Sequence, residues 1–373
     1  MGLASLRIEA VTISALSVPL KDPFVIASGR VDATRAVLIE LEVSDLTTGQ
    51  AWIGLGEAAA LPPVTREDQP DIQKTLGRCA EDTWGRAVSI DEGFAGLHEL
   101  LDEHLIEWPV SRAGLESAWL DAIAKSRALT VRELLGAELG ARCRHLETDI
   151  TIPILEPEYM GTLAKSWREQ GFTCFKVKVG KDHDRDLRAL EAIARQVPDA
   201  RLRLDANAGF IAAEAISMVR AVEKLGLVLE CFEQPCAADD LEGSAEVART
   251  LDVPVVADES VKTIKDFRRV VQARAADGVN LKLAKSGGLL RALEIGREAR
   301  KLGMSIMCGG MVETRLGMTA AASVAAALGG VEFADLDTAW LLREDPFVGG
   351  YSSDGPRYTL SDQPGFGIAK AAP

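Results

Sequence analysis

Two lysines one residue apart, Lys176 and Lys178, sit in the β-branched run Phe175-Lys-Val-Lys-Val179, which ends on Gly180. Alternate side chains of a strand share a face, so both amines point the same way. Neighbouring ammonium groups lower each other's proton affinity, which is how a lysine becomes a base near neutral pH. A solvated edge strand carries the same pattern, so the pair gains meaning only from what the chain brings to it. Three carboxylates, Asp205, Glu233 and Asp258, each follow a short apolar run, at separations of 28 and 25 residues. Taken singly, each reads as a cap for the next helix. Converging, they would repel strongly without a cation, and an all-oxygen donor set suits Mg²⁺ or Mn²⁺ rather than zinc. A further lysine, Lys285, follows the run Gly278-Val-Asn-Leu-Lys-Leu283. A cation with an amine on either side suits a carbon acid next to a carboxylate: one lysine removes the α-proton and the other returns one to the opposite face.

Such groups need a scaffold that turns strand ends toward one point. From Asp149 to Ala334 eight short apolar runs alternate with segments of helical periodicity, for example Arg185 to Gln196 and Gly288 to Leu302. Eight strands at this spacing predict a parallel β/α barrel, whose strand C-termini line the active site. Those positions supply Thr151, Lys176, Lys178, Asp205 with Asn207, Glu233, Asp258 with Glu259, Lys285, the stretch Cys308 to Glu313, and Asp335 with Asp337. Lys178 and Lys285, ending the second and sixth runs, fall on opposite sides of such a barrel. Before it, three strand patterns (Leu6 to Leu20, Arg35 to Val43, Trp52 to Gly56) and three helical ones (roughly Pro70 to Arg86, Ile90 to Glu107, Ser111 to Leu129) predict a separate α+β unit.

The 373 residues exceed one ordinary domain, and 47% hydrophobic with 26% charged residues is the composition of a soluble globular protein. Lys and Arg number 42 against 56 Asp and Glu, a formal charge of −14 that argues against nucleic acid as a partner. No signal-peptide pattern opens the chain and no apolar run spans a bilayer, which makes the cytoplasm the expected location, without a membrane partner. Six cysteines without a Cys-x-x-Cys pair read as reduced fillers, and the four histidines end no strand.

Lys176-Val-Lys178, Leu204-Asp-Ala-Asn207, Phe232-Glu-Gln-Pro235, Ala257-Asp-Glu-Ser260 and Leu283-Ala-Lys-Ser-Gly-Gly288 together resemble the enolase superfamily, in its muconate lactonizing enzyme subgroup. The likeness extends to Gly54-Leu-Gly-Glu57 and Pro364-Gly-Phe-Gly367 and so runs over essentially the whole chain. It implies an α/β fold: a modified TIM-type (β/α)7β barrel at 131–345, an α+β capping domain at 1–130, and a segment at 346–373 returning to the cap. It also implies one Mg²⁺ per subunit, with Mn²⁺ as substitute, on Asp205, Glu233 and Asp258, and by analogy a homo-oligomer. Asp335-Leu-Asp337 resembles the Asp-x-Asp signature of dipeptide epimerases, where two carboxylates would hold the α-ammonium group of a dipeptide. Gly309-Gly-Met-Val-Glu-Thr314 is similar to that family too, with Glu313 and Thr151 as further substrate contacts. The implied enzyme is an isomerase: a dipeptide epimerase inverting the Cα of the C-terminal residue by two-lysine 1,1-proton transfer through an enediolate. The alternative within the subgroup is an N-succinylamino acid racemase, o-succinylbenzoate synthase or muconate cycloisomerase, whose substrates lack a free α-ammonium group. In the Ala-Glu epimerases an arginine of the loop after the first strand grips the glutamate carboxylate. Aligned from Pro23-Phe24, that place falls at Gly29, with Arg30 beside it, while Phe24, Val25 and Ile26 fit an apolar side chain or the core equally. The preferred dipeptide is therefore open at this point.

Overall fold

A computed structural model of the chain describes residues 4–27 and 29–372. Eight parallel strands follow one another round a barrel: Ile150–Ile152, Cys174–Lys178, Arg201–Asp205, Val228–Glu233, Val255–Ala257, Gly278–Lys282, Ser305–Gly309 and Phe333–Asp335. Closure comes from a parallel bridge between Thr148 and Ala334, with Asp149 N donating to Ala334 O at 3.1 Å. Among the described residues, seven helices of ten residues or more, from Pro157–Glu169 to Arg315–Ala327, link the strands, with the short turn Leu283–Ser286 besides. After the eighth strand the only helical element among the described residues is the four-residue turn Thr338–Leu341, followed by short strands from Phe347 onward, so the architecture is the (β/α)7β form that the resemblance implied. The strands are buried almost throughout because helices cover them outside while their neighbours enclose them.

The N-terminal unit is a four-stranded antiparallel sheet in the order Ala51–Ala60, Arg35–Asp45, Ala4–Leu16, Ala87–Ile90, backed by the helices Gln69–Thr83, Ala95–Leu105 and Pro109–Ser126. The second helical pattern was expected from Ile90. Residues 87–90 instead form the edge strand, paired with Ala4 to Arg7, and the helix begins at Ala95. A hairpin, Pro19–Ile26 with Gly29–Ala33, leaves the sheet and lies across the barrel mouth. Ile154 N donates to Val25 O at 2.9 Å, and Arg343 N donates to Pro19 O at 2.9 Å, tying the hairpin to the barrel loops.

Close backbone approach joins sheet and helix within the N-terminal unit. A Cβ on Gly54 would lie 1.9 Å from Ala118 O, and one on Gly56 2.1 Å from Gly114 O, so this strand and the helix Pro109–Ser126 touch only because both positions lack side chains. Carboxylates of the N-terminal unit then cap barrel helices. Glu57 accepts from Thr314 N (3.0 Å), Thr314 Oγ1 (2.5 Å) and Gly317 N (2.9 Å) at the start of Arg315–Ala327. Glu116 accepts from Leu290 N (2.8 Å) at the start of Leu289–Lys301. The free N–H groups and positive end of a helix favour a carboxylate there. Asp121 does the same for the C-terminal segment, accepting from Phe366 N at 2.7 Å and Leu55 N at 2.8 Å. The family-like motifs Gly54-Leu-Gly-Glu57, Gly287-Gly288 and Pro364-Gly-Phe-Gly367 thus serve adhesion between segments. No described helix is long and apolar enough to cross a membrane, and the six cysteines are free.

Candidate active site

Inward-facing positions alternate along each barrel strand, so Cys174, Lys176 and Lys178 rise through the second strand, and Asn280 and Lys282 through the sixth. At the C-terminal mouth the three sequence-predicted carboxylates are bridged by lysines. Lys176 Nζ lies 3.1 Å from Asp205 Oδ2 and 2.6 Å from Glu233 Oε2, and Lys178 Nζ lies 2.5 Å from Asp205 Oδ2. Lys282 Nζ lies 2.7 Å from Asp258 Oδ2 and 3.8 Å from Glu233 Oε1. None of the three carboxylates caps the helix after its strand. The N-caps of those helices are Ile211, Asp240 and Thr263.

The apolar run Gly278 to Leu283 predicts Lys285 as the amine at the end of the sixth strand and gives Lys282 no role. The strand ends at Lys282, and Leu283–Ser286 is a helical turn. That turn carries Lys285 behind Asp258, where its Nζ donates to Asp258 O (2.6 Å), Asp258 Oδ1 (2.6 Å) and Asn280 O (2.9 Å). Lys178 and Lys282, not Lys285, face the cavity of the mouth, together with Asp335, Thr151 and Asn207. The two-residue alternation of Asn280 and Lys282 was the available signal. The second and sixth strands are four apart in a ring of eight, so these two amines approach the cavity from opposite sides.

The eighth strand adds a second cluster. Carboxylate oxygens of Asp149, Asp335 and Asp337 all lie within 4.8 Å of one another. Lys176 Nζ donates to Asp335 Oδ2 at 2.6 Å and Arg203 to Asp149 Oδ2 at 2.9 Å. Asp337 occupies the position before the turn Thr338–Leu341 without capping it; its Oδ2 accepts from Thr151 N at 2.5 Å. Asp149 Oδ1 and Asp337 Oδ1 are buried with no partner, so the cluster is short of positive charge.

Two expected substrate contacts lie elsewhere. Arg30 is exposed and paired with Asp32 at 2.8 Å, because hairpin alternation sends it to the solvent face while Phe24 and Ile26 point inward. Glu313 folds under its own loop, where Oε1 accepts from Met311 N at 2.7 Å, and its charge faces Glu57. Phe24 and Thr151 do line the cavity.

Burial and charge act in opposition throughout. Burial would strip the proton from Lys176, but Asp335, Glu233 and Asp205 outweigh it and hold the amine's pKa well above its ordinary value. It is a fixed cation here rather than a base. Lys282 is likewise raised, against its burial, by Asp258 and Glu233. Lys285 is lowered, chiefly by burial. Asp205 and Asp258 are held low despite burial, by Lys178 with Lys176 and by Lys282 with Lys285. Burial and Asp335 push Asp337 up to about 7, and burial and Asp258 push Glu259 up to about 7.

The donor set fits a hard divalent cation. Seven carboxylates (Asp149, Asp205, Glu233, Asp258, Glu259, Asp335, Asp337) face five cationic side chains (Arg203, Lys176, Lys178, Lys282, Lys285), a formal deficit of two charges. Around Asp205 and Asp258, Asn207 Oδ1 and Glu259 Oε2 are buried oxygens without donors, and Glu233 Oε2 meets Lys176 only as an unaligned ion pair. All are oxygen ligands of the kind Mg²⁺ takes. Gln234 positions this edge: its Oε1 accepts from Asp258 N (2.9 Å) and Ser260 N (3.1 Å), at a left-handed φ of 35°. A larger, more open hollow lies at the opposite end of the barrel, but its arginines Arg201 and Arg203 are already paired with Glu147, Glu230 and Asp149. In such barrels that end serves stability.

Residues 159–371 match the family model described as enolase C-terminal domain-like. This chain belongs to the enolase superfamily. Among superfamily members it is 40% identical over 355 residues to an L-Ala-D/L-amino acid epimerase of Populus trichocarpa, covering 94% of this chain and 82% of that one. It superposes at a TM-score of 0.89, with 33% identity and 98% and 99% coverage, on a substrate-liganded L-Ala-D/L-Glu epimerase from Bacillus subtilis. A dipeptide epimerase from Enterococcus faecalis, complexed with Mg and L-Leu-L-Tyr, matches at a TM-score of 0.87 with 30% identity, covering 97% of this chain and 99% of that one.

Proposed function

We propose that this enolase-superfamily member is an isomerase, a dipeptide epimerase that inverts the Cα of the C-terminal residue of its substrate by 1,1-proton transfer. The observation that carries the reading is that Lys178 and Lys282 face one cavity from opposite sides while Asp335 borders the same space. Lys178 takes or returns the α-proton on one face and Lys282 on the other. Asp335, with Asp337 and Asp149 behind it, holds the dipeptide's α-ammonium group, whose charge the partnerless oxygens lack. Asp205, Glu233 and Asp258 would hold one Mg²⁺, or Mn²⁺ in its place. When bound, that ion would stabilise the negative charge left on the substrate carboxylate and offset the carboxylate charge that otherwise keeps Lys282 protonated. Lys176 stays protonated and fixes Asp335 relative to Glu233. On this reading residues 131–345 supply the chemistry, residues 1–130 close the mouth, and 346–373 lock the two together.

An N-succinylamino acid racemase would use the same lysines and cation, but its substrate brings no ammonium group to Asp335 and Asp337. Proton NMR in D₂O with Mg²⁺ separates the two. Deuterium should enter the C-terminal α-position of free dipeptides, and a chelator should abolish the exchange. Exchange confined to N-succinylamino acids, or exchange that survives chelation, would refute the proposal.

A further inference from the structure

We infer that the substrate carries an apolar side chain on its C-terminal residue, received by the hairpin and cap loop that close the barrel mouth; this rests on the epimerase reading above. The direction of that side chain follows from the site. Proton transfer passes through a carbon whose carboxylate, nitrogen and side chain lie in one plane, with a lysine on each face. Lys178 and Lys282 take those faces, from the second and sixth strands. The carboxylate turns toward the third to fifth strands, where Asp205, Glu233 and Asp258 stand, and the nitrogen toward Asp335 on the eighth. Below, Lys176 and Asn280 fill the barrel, with Asn280 Nδ2 on Glu233 Oε1 at 2.8 Å. The side chain has one direction left, up the barrel axis and into the cap.

The groups waiting there are apolar. Phe24 and Ile26 from the hairpin, Leu61 and Val64 from the loop after Ala51–Ala60, and Met311 from the barrel line that part of the cavity. Phe24 lies directly over one of the bases, its ring centroid 5.8 Å from Lys178 Nζ. The hairpin's one arginine points away and is satisfied by Asp32. Lys21 is also engaged elsewhere, donating to Trp340 O at 2.8 Å. The loop's Arg66 is exposed and lies over the Trp108 ring, 5.8 Å from its centroid, so among the described residues of the hairpin and loop no cation lines the pocket to meet a glutamate carboxylate. A charged side chain would be desolvated there without a partner, whereas leucine, isoleucine or phenylalanine would gain apolar burial.

The test uses the intact enzyme with Mg²⁺ and a panel of L-Ala-L-Xaa dipeptides, Xaa being Leu, Ile, Phe, Glu and Lys, read as α-deuterium incorporation. Apolar members should exceed L-Ala-L-Glu and L-Ala-L-Lys in kcat/KM by about 100-fold or more, the scale on which pockets discriminate by burial and unpaired charge. The variant Ile26→Arg should shift the ratio of Glu to Leu turnover upward by at least about tenfold, since it places a cation beside the pocket. Equal or better turnover of L-Ala-L-Glu by the unaltered enzyme would overturn the inference and leave the epimerase reading standing. Exchange with no dipeptide at all would overturn both.

Discussion

Removing one lysine at a time decides which amine serves the second face. In Lys282→Met the side chain that borders the cavity from the sixth strand loses its charge, while Asp258 keeps Lys285 at 2.6 Å, so the carboxylate is not left unpaired. Positioned acid–base groups contribute about 10²- to 10⁴-fold, or about 3–5 kcal/mol of barrier at 1.36 kcal/mol per tenfold. Net epimerisation should fall by at least about 100-fold. Exchange measured separately from each stereoisomer should become one-sided: the isomer whose α-hydrogen faces Lys178 continues to exchange within a few-fold of the original rate. Lys285→Met is the control. It orphans two buried carbonyls, Asp258 O and Asn280 O, and one oxygen of Asp258, at about 3–5 kcal/mol for breaking a buried pair. That loss appears as a lower denaturation midpoint, and because Asp258 serves both directions, exchange falls equally for both stereoisomers. One-sided exchange in Lys285→Met combined with two-sided exchange in Lys282→Met would refute the assignment.

Glu57 is pushed up to about 8, by burial first and then by the charge of Glu313, which is itself pushed up to about 7 by burial. The folded pair therefore retains a proton that the unfolded chain releases near 4.5. Between about pH 4.5 and 8 the native state binds more protons, so stability declines as pH rises through that window. Thermal midpoints of Glu313→Gln from pH 5 to 9 should be flatter than those of the unaltered protein, and parallel curves would count against the shared proton. Gly54→Ala puts a methyl 1.9 Å from Ala118 O, a backbone atom that cannot step aside. Overpacking of this kind costs at least about 1–3 kcal/mol, and a urea midpoint indistinguishable from that of the unaltered protein would show that the sheet and helix do not meet as described.

The residues alone were enough for the barrel, because buried parallel strands must be apolar runs and their helices must be amphipathic, and both leave periods that can be read. The same logic reached Asp205, Glu233 and Asp258, since the first two end their strands, the third directly follows its own, and the barrel turns every strand end toward one mouth. What folding decided were matters of phase and partner. Lys282 and Lys285 differ by three positions, and only hydrogen bonding to neighbouring strands fixes where the sixth strand stops and the backbone coils. Arg30 and Phe24 belong to one hairpin, yet the pairing of Phe24 with Val31 and Val25 with Arg30 determines which face meets the cavity. The roles of Glu57 and Glu116 were likewise invisible in the chain, because the helix ends they cap lie 257 and 174 residues away. Period and polarity are local properties of a strand or helix, whereas a side chain's partner depends on contacts made only when distant segments close on one another.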